Sequence, residues 1–314
     1  MVMKKKPTFI SLFAGCGGSS LGYKWAGFKE LLAIDIDKNA TETFKLNFPS
    51  IPYWERDIKE ITGKEILDFC NIKKGELDLL DASPPCQGFS TAGKRNVLDP
   101  RNDLFLEFVR LIKELESKVF IMENVSGLVK GKMKGRFIEI MKELKVLPYK
   151  VKCKLMNSMY YGVPQSRPRL IWIGMKNNEP SFPLPSDKVI SVKEAIGNLN
   201  EKQDAFPSNN IIKAWKKNKQ GQRLTSYNSG PIKVKSNMPI HTLTRAGRRK
   251  GGWNDFHYKY PRPLTINEMK ILSSFPINFK LSGNRRDKID VIGNSVPPKF
   301  MEAIAKNIKE QVFQ

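Results

Sequence analysis

The chain has 314 residues, 40% of them hydrophobic and 27% charged, which excludes a disordered or collagen-like polymer and leaves room for one large core with a smaller second domain. Its 54 Lys and Arg against 31 Asp and Glu give a formal net charge of +23, which points to a polyanion as partner. Cys16, Cys70, Cys86 and Cys153 stand far apart, without the paired spacing of a zinc site or the setting of a disulfide framework, and no apolar run approaches the ~20 residues of a membrane span. The expectation is a cytoplasmic protein with no signal peptide, no membrane anchor and no metal.

Thr8 to Phe13 is a compact apolar run that meets the glycine cluster Ala14-Gly-Cys-Gly-Gly18, followed by a helical segment from Ser19 to Gly27. The pattern repeats. Glu30 to Ile36 reads as a second strand, Lys38 to Leu46 as a helix, Leu77 to Ala82 as a third strand, Asp103 to Leu115 as a strongly periodic helix and Val119 to Met122 as a further strand. Alternation with short links predicts an α/β fold with a doubly wound, mostly parallel sheet over residues 1–175. From Lys176 to about Tyr260 the texture turns to Pro, Asn and Lys with short β-like fragments such as Ile232 to Lys235, and a smaller, irregular, β-containing domain is expected there. Residues 261–314 return to the first domain: helical periodicity resumes after Leu264, and Lys299 to Val312 reads as a terminal helix packing back on it.

Open parallel sheets bind ligands at the carboxyl ends of their strands, where a glycine turn lets backbone approach a nucleotide-like molecule. Phe13 to Gly18 sits at such an end, and Asp35 ends the second strand where it can accept ribose hydroxyls; together they suggest an adenosine-containing cofactor, although a bare tight turn and a solvated strand terminus would look alike. In Asp81-Ala-Ser-Pro-Pro-Cys-Gln-Gly-Phe-Ser90, two prolines fix the backbone before Cys86 and Gln87-Gly88 prevents a helix, so the thiol is presented on a loop as a nucleophile rather than packed as inert core.

At these residues the chain resembles the DNA cytosine carbon-5 methyltransferase family. Phe13-Ala-Gly-Cys-Gly-Gly18 is similar to its cofactor loop, Pro85-Cys-Gln87 to its nucleophile motif, Glu123-Asn-Val125 to its acid motif and Gln165-Ser-Arg-Pro-Arg169 to its arginine motif. Arg262-Pro-Leu-Thr265 through Glu268 to Phe275-Pro276 is similar to the segment that holds the recognition domain, and Gly293-Asn-Ser-Val296 to the closing cofactor motif. The order is the family's and the motifs span nearly the whole chain. The resemblance implies S-adenosylmethionine as methyl donor in the fold of methyltransferases that use it, with Phe13, Ala14, Gly15, Gly17, Gly18, Asp35, Ile36, Asp57, Ile58, Pro85, Leu104, Asn294 and Ser295 forming the pocket. Asp35 stands where the family usually has Glu, and Ile36 where an aromatic often flanks adenine.

The chemistry requires the same groups. Carbon 5 of cytosine is a poor nucleophile, and adding the Cys86 thiolate to carbon 6 makes an enamine able to attack a methyl sulfonium. Charge builds toward ring nitrogen 3, where Glu123 is expected to supply a proton, with Arg169, and Arg167 as a weaker candidate, holding the base and the acid. A cytosine inside a duplex must be rotated out of the stack, a requirement stated generally for methyltransferases. Gln87, Ser90, Lys94 and Arg95 lie on a polar loop placed to close on it, and Arg245, Arg248 and Arg249 are candidates for reading sequence from the 176–260 domain, as is the basic stretch Lys213 to Lys219 around Trp215. By resemblance the protein is a compact prokaryotic modification enzyme, monomeric, nucleoid-associated, acting on double-stranded DNA beside a restriction endonuclease of the same specificity. A tRNA-acting relative and a catalytically dead nucleic-acid binder are the alternatives; the Cys-Phe-Thr signature of the first is absent, and intact Cys86, Glu123 and Arg169 oppose the second.

Overall fold

The computed structural model describes residues 5–85, 104–129, 134–226, 230–245 and 255–313. Two compact units make up the chain, one of Met1–Met156, Pro168–Leu184 and Met301–Gln314, the other of Asn157–Arg167 and Pro185–Phe300. The second extends further than the 176–260 segment expected from composition, because packing rather than composition delimits it.

The first unit runs β1 (Thr8–Leu12), α1 (Gly18–Trp25), β2 (Lys29–Asp35), α2 (Lys38–Asn47), β3 (Tyr53–Glu55), α3 (Gly63–Cys70), β4 (Leu79–Ala82), α4 (Leu104–Leu115), β5 (Val119–Val125), α5 (Lys134–Lys145) and β6 (Lys150–Asn157). The two-residue β7 (Gln165–Ser166) belongs to the second unit, and β8 (Pro168–Met175) returns to the first. Local chemistry sets these boundaries. Asp37 caps α2 by accepting the Ala40 N–H at 3.0 Å, and Asn71 ends α3 in the left-handed region. On α4, Phe105, Phe108, Val109, Ile112 and Leu115 fall on one buried face at three- and four-residue spacing.

The sheet order is β3-β2-β1-β4-β5-β8-β6. β1 pairs in parallel with β2 and β4, β2 with β3 and β4 with β5, while β8 runs antiparallel to β5. This is the doubly wound, mostly parallel sheet expected. The chain leaves β1 in both directions, so the carboxyl ends of β1 and β4 flank the crevice where such sheets bind ligands. One face packs Ile10, Leu12, Leu80, Ala82, Phe120 and Met122 against α4. Alternation turns Phe9, Ser11 and Asp81 to the other face, where the buried Tyr23 ring lies 4.4 Å from that of Phe9. The terminal helix closes on this unit as expected: Lys309 Nζ donates to Ala26 O at 3.0 Å, and Phe313 meets Phe28 edge-on.

Two carboxyls are buried under α1. Burial pushes Glu30 up to about 8. The hydroxyls of Ser11 and Ser20 oppose that shift, Ser20 through a hydrogen bond to Oε1 at 3.0 Å and Ser11 without a bond of normal geometry. Burial likewise pushes Asp81 up to about 7, against hydrogen bonds from Tyr23 and Ser19. The folded state therefore holds protons that the unfolded chain releases, and the stability this confers is complete below the ordinary carboxylate range and lost as pH rises through about 7 to 8. Glu30→Gln is expected to gain on wild type by up to ~1.4 kcal/mol per pH unit between about pH 5 and pH 8. Urea denaturation across that range checks it; a constant difference would mean that Glu30 does not titrate there.

The second unit contains α6 (Val192–Ile196), α7 (Asn209–Lys217), β9 (Ile240–His241), α8 (Ile266–Leu272) and α9 (Arg285–Asn294), and α10 (Pro298–Val312) runs from it into the first. β7 and β9 form a two-stranded parallel ribbon. The expected fragment at Ile232 to Lys235 forms only isolated bridges, Arg223 with Ile232 and Lys233 with Phe256. The core gathers Val192, Ile196, Val234, Ile240, Leu243, Leu264, Met269, Leu272, Ile289 and Ile292. Among the described residues, no helix is long and apolar enough to cross a membrane, and no group of three or more His, Cys, Asp or Glu is placed to hold a metal.

Candidate active site

The turn after β1 is left-handed at Phe13 (φ 56°), Gly15 (φ 56°) and Gly17 (φ 90°). Glycine adopts that region without penalty, whereas Phe13 stores strain there. A Cβ on Gly15 would meet nothing within 4 Å, so the turn faces open space. At Gly17 it would lie 2.5 Å from the Phe48 ring and 3.0 Å from Phe44. Gly17→Ala is accordingly expected to destabilise the fold by ~1–3 kcal/mol and to weaken cofactor binding through a displaced loop; thermal denaturation and cofactor titration measure the two effects, and an unchanged melting temperature would show that the loop does not need this approach.

Asp35 staples the turn. Its Oδ2 accepts the Gly15 N–H at 2.8 Å and its Oδ1 the Asp37 N–H at 3.0 Å, while Ala14 N–H donates to Ile34 O and Tyr53 O–H to Gly15 O. Burial raises the Asp35 pKa, and the backbone donors Asp37, Gly15 and Ile36 oppose it. Beside it Ile36 is 66% exposed, an apolar surface at a strand end that fits the flat face of a base. Asp57 caps the turn at Ile58–Glu60 by accepting the Lys59 N–H, and Ile58 is buried in the core. Gly18 opens α1, and Leu104 packs half-buried at the start of α4. An open glycine turn, a carboxylate at the neighbouring strand end and an exposed aliphatic side chain are the features an adenosine-bearing group needs, so these residues fit the expected cofactor.

β4 ends next to this loop. Ala82 is in register with Leu12, and Ser83 N–H donates to Leu12 O at 3.4 Å. Cys86, Gln87, Ser90, Lys94 and Arg95 lie outside the described residues, as do Arg248 and Arg249; Pro85 is the last described residue before the thiol. The departure of the thiol loop is nevertheless fixed from the adjacent strand: Asn124 Nδ2 donates to Pro84 O at 3.2 Å, and Asn124 Oδ1 accepts the Val125 N–H at 2.7 Å. Nothing in the sequence reading assigned Asn124 this work; its place directly after Glu123 in the acid motif was the available signal.

One residue before Asn124, Glu123 meets Arg169 of β8, with Arg169 Nε 2.7 Å from Glu123 Oε1. Each is only 8% exposed. The antiparallel register sets Val125 opposite Arg169 and Ile171 opposite Glu123, so the two side chains share one face. Burial lowers the Arg169 pKa and the Glu123 charge opposes the shift. Arg169 Nη1 also donates to Pro168 O, which holds the guanidinium plane. Arg167 does different work. In the second unit its Nη1 donates to Leu243 O at 3.0 Å and its Nη2 to Gly293 O at 2.9 Å, with the side chain buried. It ties the segment leading to Arg245 to the end of α9, where Asn294 and Ser295 follow; the Ser295 hydroxyl donates to Val291 O. Arg245 is half-exposed and lies 3.4 Å from Asp290. Trp215 of α7 donates its indole N–H to His257 O and carries Lys233 Nζ 3.7 Å above its ring, so this part of the basic stretch also serves packing.

The model of the C-5 cytosine-specific DNA methylase family matches residues 7–310. Type II methyltransferase M1.HphI of Haemophilus parahaemolyticus is 35% identical over 328 residues, covering 96% of this chain and 86% of that protein. M.HindV of Haemophilus influenzae, also a Type II methyltransferase, is 33% identical over 308 residues and 95% of each chain. Among solved structures, a protein assigned as a DNA modification methyltransferase of an E. coli prophage superposes with a TM-score of 0.84 at 24% identity, covering 98% of this chain and 100% of that one. S. pombe Dnmt2 methyltransferase gives 0.73 at 18% identity, covering 97% and 99%. At such identities the solved structures speak for the fold alone. The chain belongs to the C-5 cytosine-specific DNA methylase family. It is a DNA cytosine methyltransferase with S-adenosylmethionine as donor and double-stranded DNA as substrate, as the motifs implied.

Proposed function

We propose that the chain methylates cytosine within one short duplex sequence through Cys86, as the modification half of a restriction–modification system. The observation that carries this reading is the buried Glu123–Arg169 pair standing one strand from where the Cys86 loop departs, itself beside the glycine turn. The Cys86 thiolate adds to carbon 6 of the extruded base, and the displaced electron pair passes to carbon 5. Glu123 delivers a proton to ring nitrogen 3, and Arg169 holds its carboxyl in place. S-adenosylmethionine, when bound, supplies the electrophilic methyl group. Water then takes the carbon 5 proton, the electron pair of that bond re-forms the carbon 5–carbon 6 double bond and expels the thiolate, and ring nitrogen 3 gives its proton back to Glu123, so the enzyme returns unchanged.

Phe13, Ala14, Gly15, Gly17, Gly18, Asp35, Ile36, Asp57, Ile58, Pro85 and Leu104 form the cofactor pocket in this reading, with Asn294 and Ser295. Arg167 contributes by positioning. Gln87, Ser90, Lys94 and Arg95 contact the target nucleotide, and residues 176–260 read the sequence with Arg245, Arg248 and Arg249. The protein acts as a monomer in a prokaryotic cytoplasm, and a cognate endonuclease shares its site. The Type II methyltransferases similar to this chain, M1.HphI and M.HindV, favour that setting. Methyl transfer from labelled donor to duplex DNA, with bisulfite sequencing of the product, tests it: one short motif modified at cytosine is expected. Label entering tRNA instead, or scattered without a motif, would overturn the assignment of substrate or of a sequence-reading domain.

A further inference from the structure

The first unit contains a buried polar cluster that the methyl-transfer chemistry leaves unused. Tyr23 O–H donates to Asp81 Oδ1 at 3.0 Å, Ser19 donates to the same carboxyl, and Ser20 O–H donates to Glu30 Oε1 at 3.0 Å. Three side chains of α1 thus reach down to two acids of the sheet. α1 starts at Gly18, where the glycine turn ends; Asp81 lies on β4 five residues before Cys86 and in register with Ser11 of β1 and Ile121 of β5.

We propose that Asp81 is a positioning residue for methyl transfer: through Tyr23 and Ser19 it fastens the outgoing end of β4, which launches the Cys86 loop, to α1, which carries the cofactor loop. The inference rests on the reading that Cys86 is the nucleophile. Thiol and methyl donor approach the same base from two loops that no single element spans, and their spacing has to be set below them. The β1–β4 ladder and the Ser83 N–H to Leu12 O bond join the two strand ends through backbone, and the phenol-to-carboxyl bond adds a side-chain tie between the supporting helix and strand.

Burial and the neighbouring Glu123 and Glu30 disfavour charge on Asp81, while the donors Tyr23 and Ser19 favour it. The groups acting on Asp81 are Tyr23 and Ser19 of α1, Glu123 of β5, and Glu30 of β2 on the far side of Ser11; no cation is among the leading influences on Asp81 or Glu30. Lys309 of α10 spends its ammonium on Ala26 O. Burial holds Asp81 at about 7, so near neutrality a proton leaves and an uncompensated charge remains between strand and helix.

Single-turnover methyl transfer by Tyr23→Phe, Asp81→Leu, Asp81→Asn and Cys86→Ser tests this, with cofactor affinity measured on each folded protein and the alkylation rate of Cys86 on those that keep the thiol. Tyr23→Phe keeps the ring and removes only the donor, so it decides the question even where Asp81→Leu does not fold. Tyr23→Phe and Asp81→Leu are expected to slow transfer about 10- to 100-fold with cofactor affinity within about threefold. Asp81→Asn still accepts from Tyr23, so it is expected to recover most of the rate, and its rate relative to wild type should climb between about pH 6 and pH 8.5 because the amide cannot ionise. Wild-type rates in Tyr23→Phe and a pH-independent Asn ratio, beside an inactive Cys86→Ser, would overturn the positioning role alone. An active Cys86→Ser would overturn the nucleophile reading and the inference with it.

Discussion

Glu123→Gln is expected to slow methyl transfer by about 10²–10⁴-fold in a protein that folds normally. The amide keeps an oxygen for Arg169 Nε, which lies 2.7 Å from Glu123 Oε1, and it keeps the volume of a buried side chain. What it loses is the capacity to hand a proton to ring nitrogen 3 as charge builds there. Arg169→Ala should behave differently: it strands the Glu123 carboxylate in a buried setting, so lost activity is joined by a destabilisation of ~3–5 kcal/mol. Single-turnover rates beside thermal denaturation separate the two variants. Glu123→Gln within tenfold of wild type would remove Glu123 from proton transfer.

The second large effect is on stability. Glu268 is fully buried and accepts from Arg262 Nη1 at 2.8 Å and Nη2 at 2.7 Å, while its Oε2 also takes the Thr265 N–H at the start of α8. His257 Nε2 lies 3.6 Å from Oε1, but burial pulls its pKa down to about 4, so near neutrality the imidazole carries no charge to pair. Removing the carboxylate takes the buried Arg262 guanidinium's partner and the acceptor of the Thr265 N–H together, while Thr265 Oγ1 still caps α8 by accepting the backbone N–H of position 268. Glu268→Leu is expected to cost ~3–5 kcal/mol. Calorimetry on the full chain checks this; an unchanged unfolding profile would show that the pair contributes nothing net.

The parts of this molecule that were legible in the sequence are those whose signal is local. β1, the glycine turn and α1 announce themselves by an apolar run meeting glycines, and α4 by its period. α5 buries only Ile140 and Leu144, too narrow an apolar face to read, and α7 is a short helix inside the lysine- and asparagine-rich stretch whose composition masks it. β6, a sheet-edge strand rich in lysine, hides for the same reason. The motif residues named the chemistry without showing what holds it. Asp35 read as a ribose acceptor, and the fold first spends both its oxygens on backbone amides of the turn; Arg167 read as a possible substrate contact, and its guanidinium bridges carbonyls of Leu243 and Gly293. Asn124 on Pro84 and Tyr23 on Asp81 join residues 40 and 58 positions apart, a separation at which no spacing rule operates.

The most direct test of the thiol mechanism uses duplex DNA containing the methylated motif with fluorine at carbon 5 of the target cytosine. After methyl transfer the ring then has no proton at carbon 5 to lose, the thiolate cannot be expelled, and the covalent adduct accumulates. Mass spectrometry of the denatured complex is predicted to find the oligonucleotide on the peptide containing Cys86 in wild type and no adduct with Cys86→Ser. An adduct at another residue, or a wild-type enzyme that methylates ordinary DNA yet leaves no adduct on the fluorinated duplex, would contradict the account.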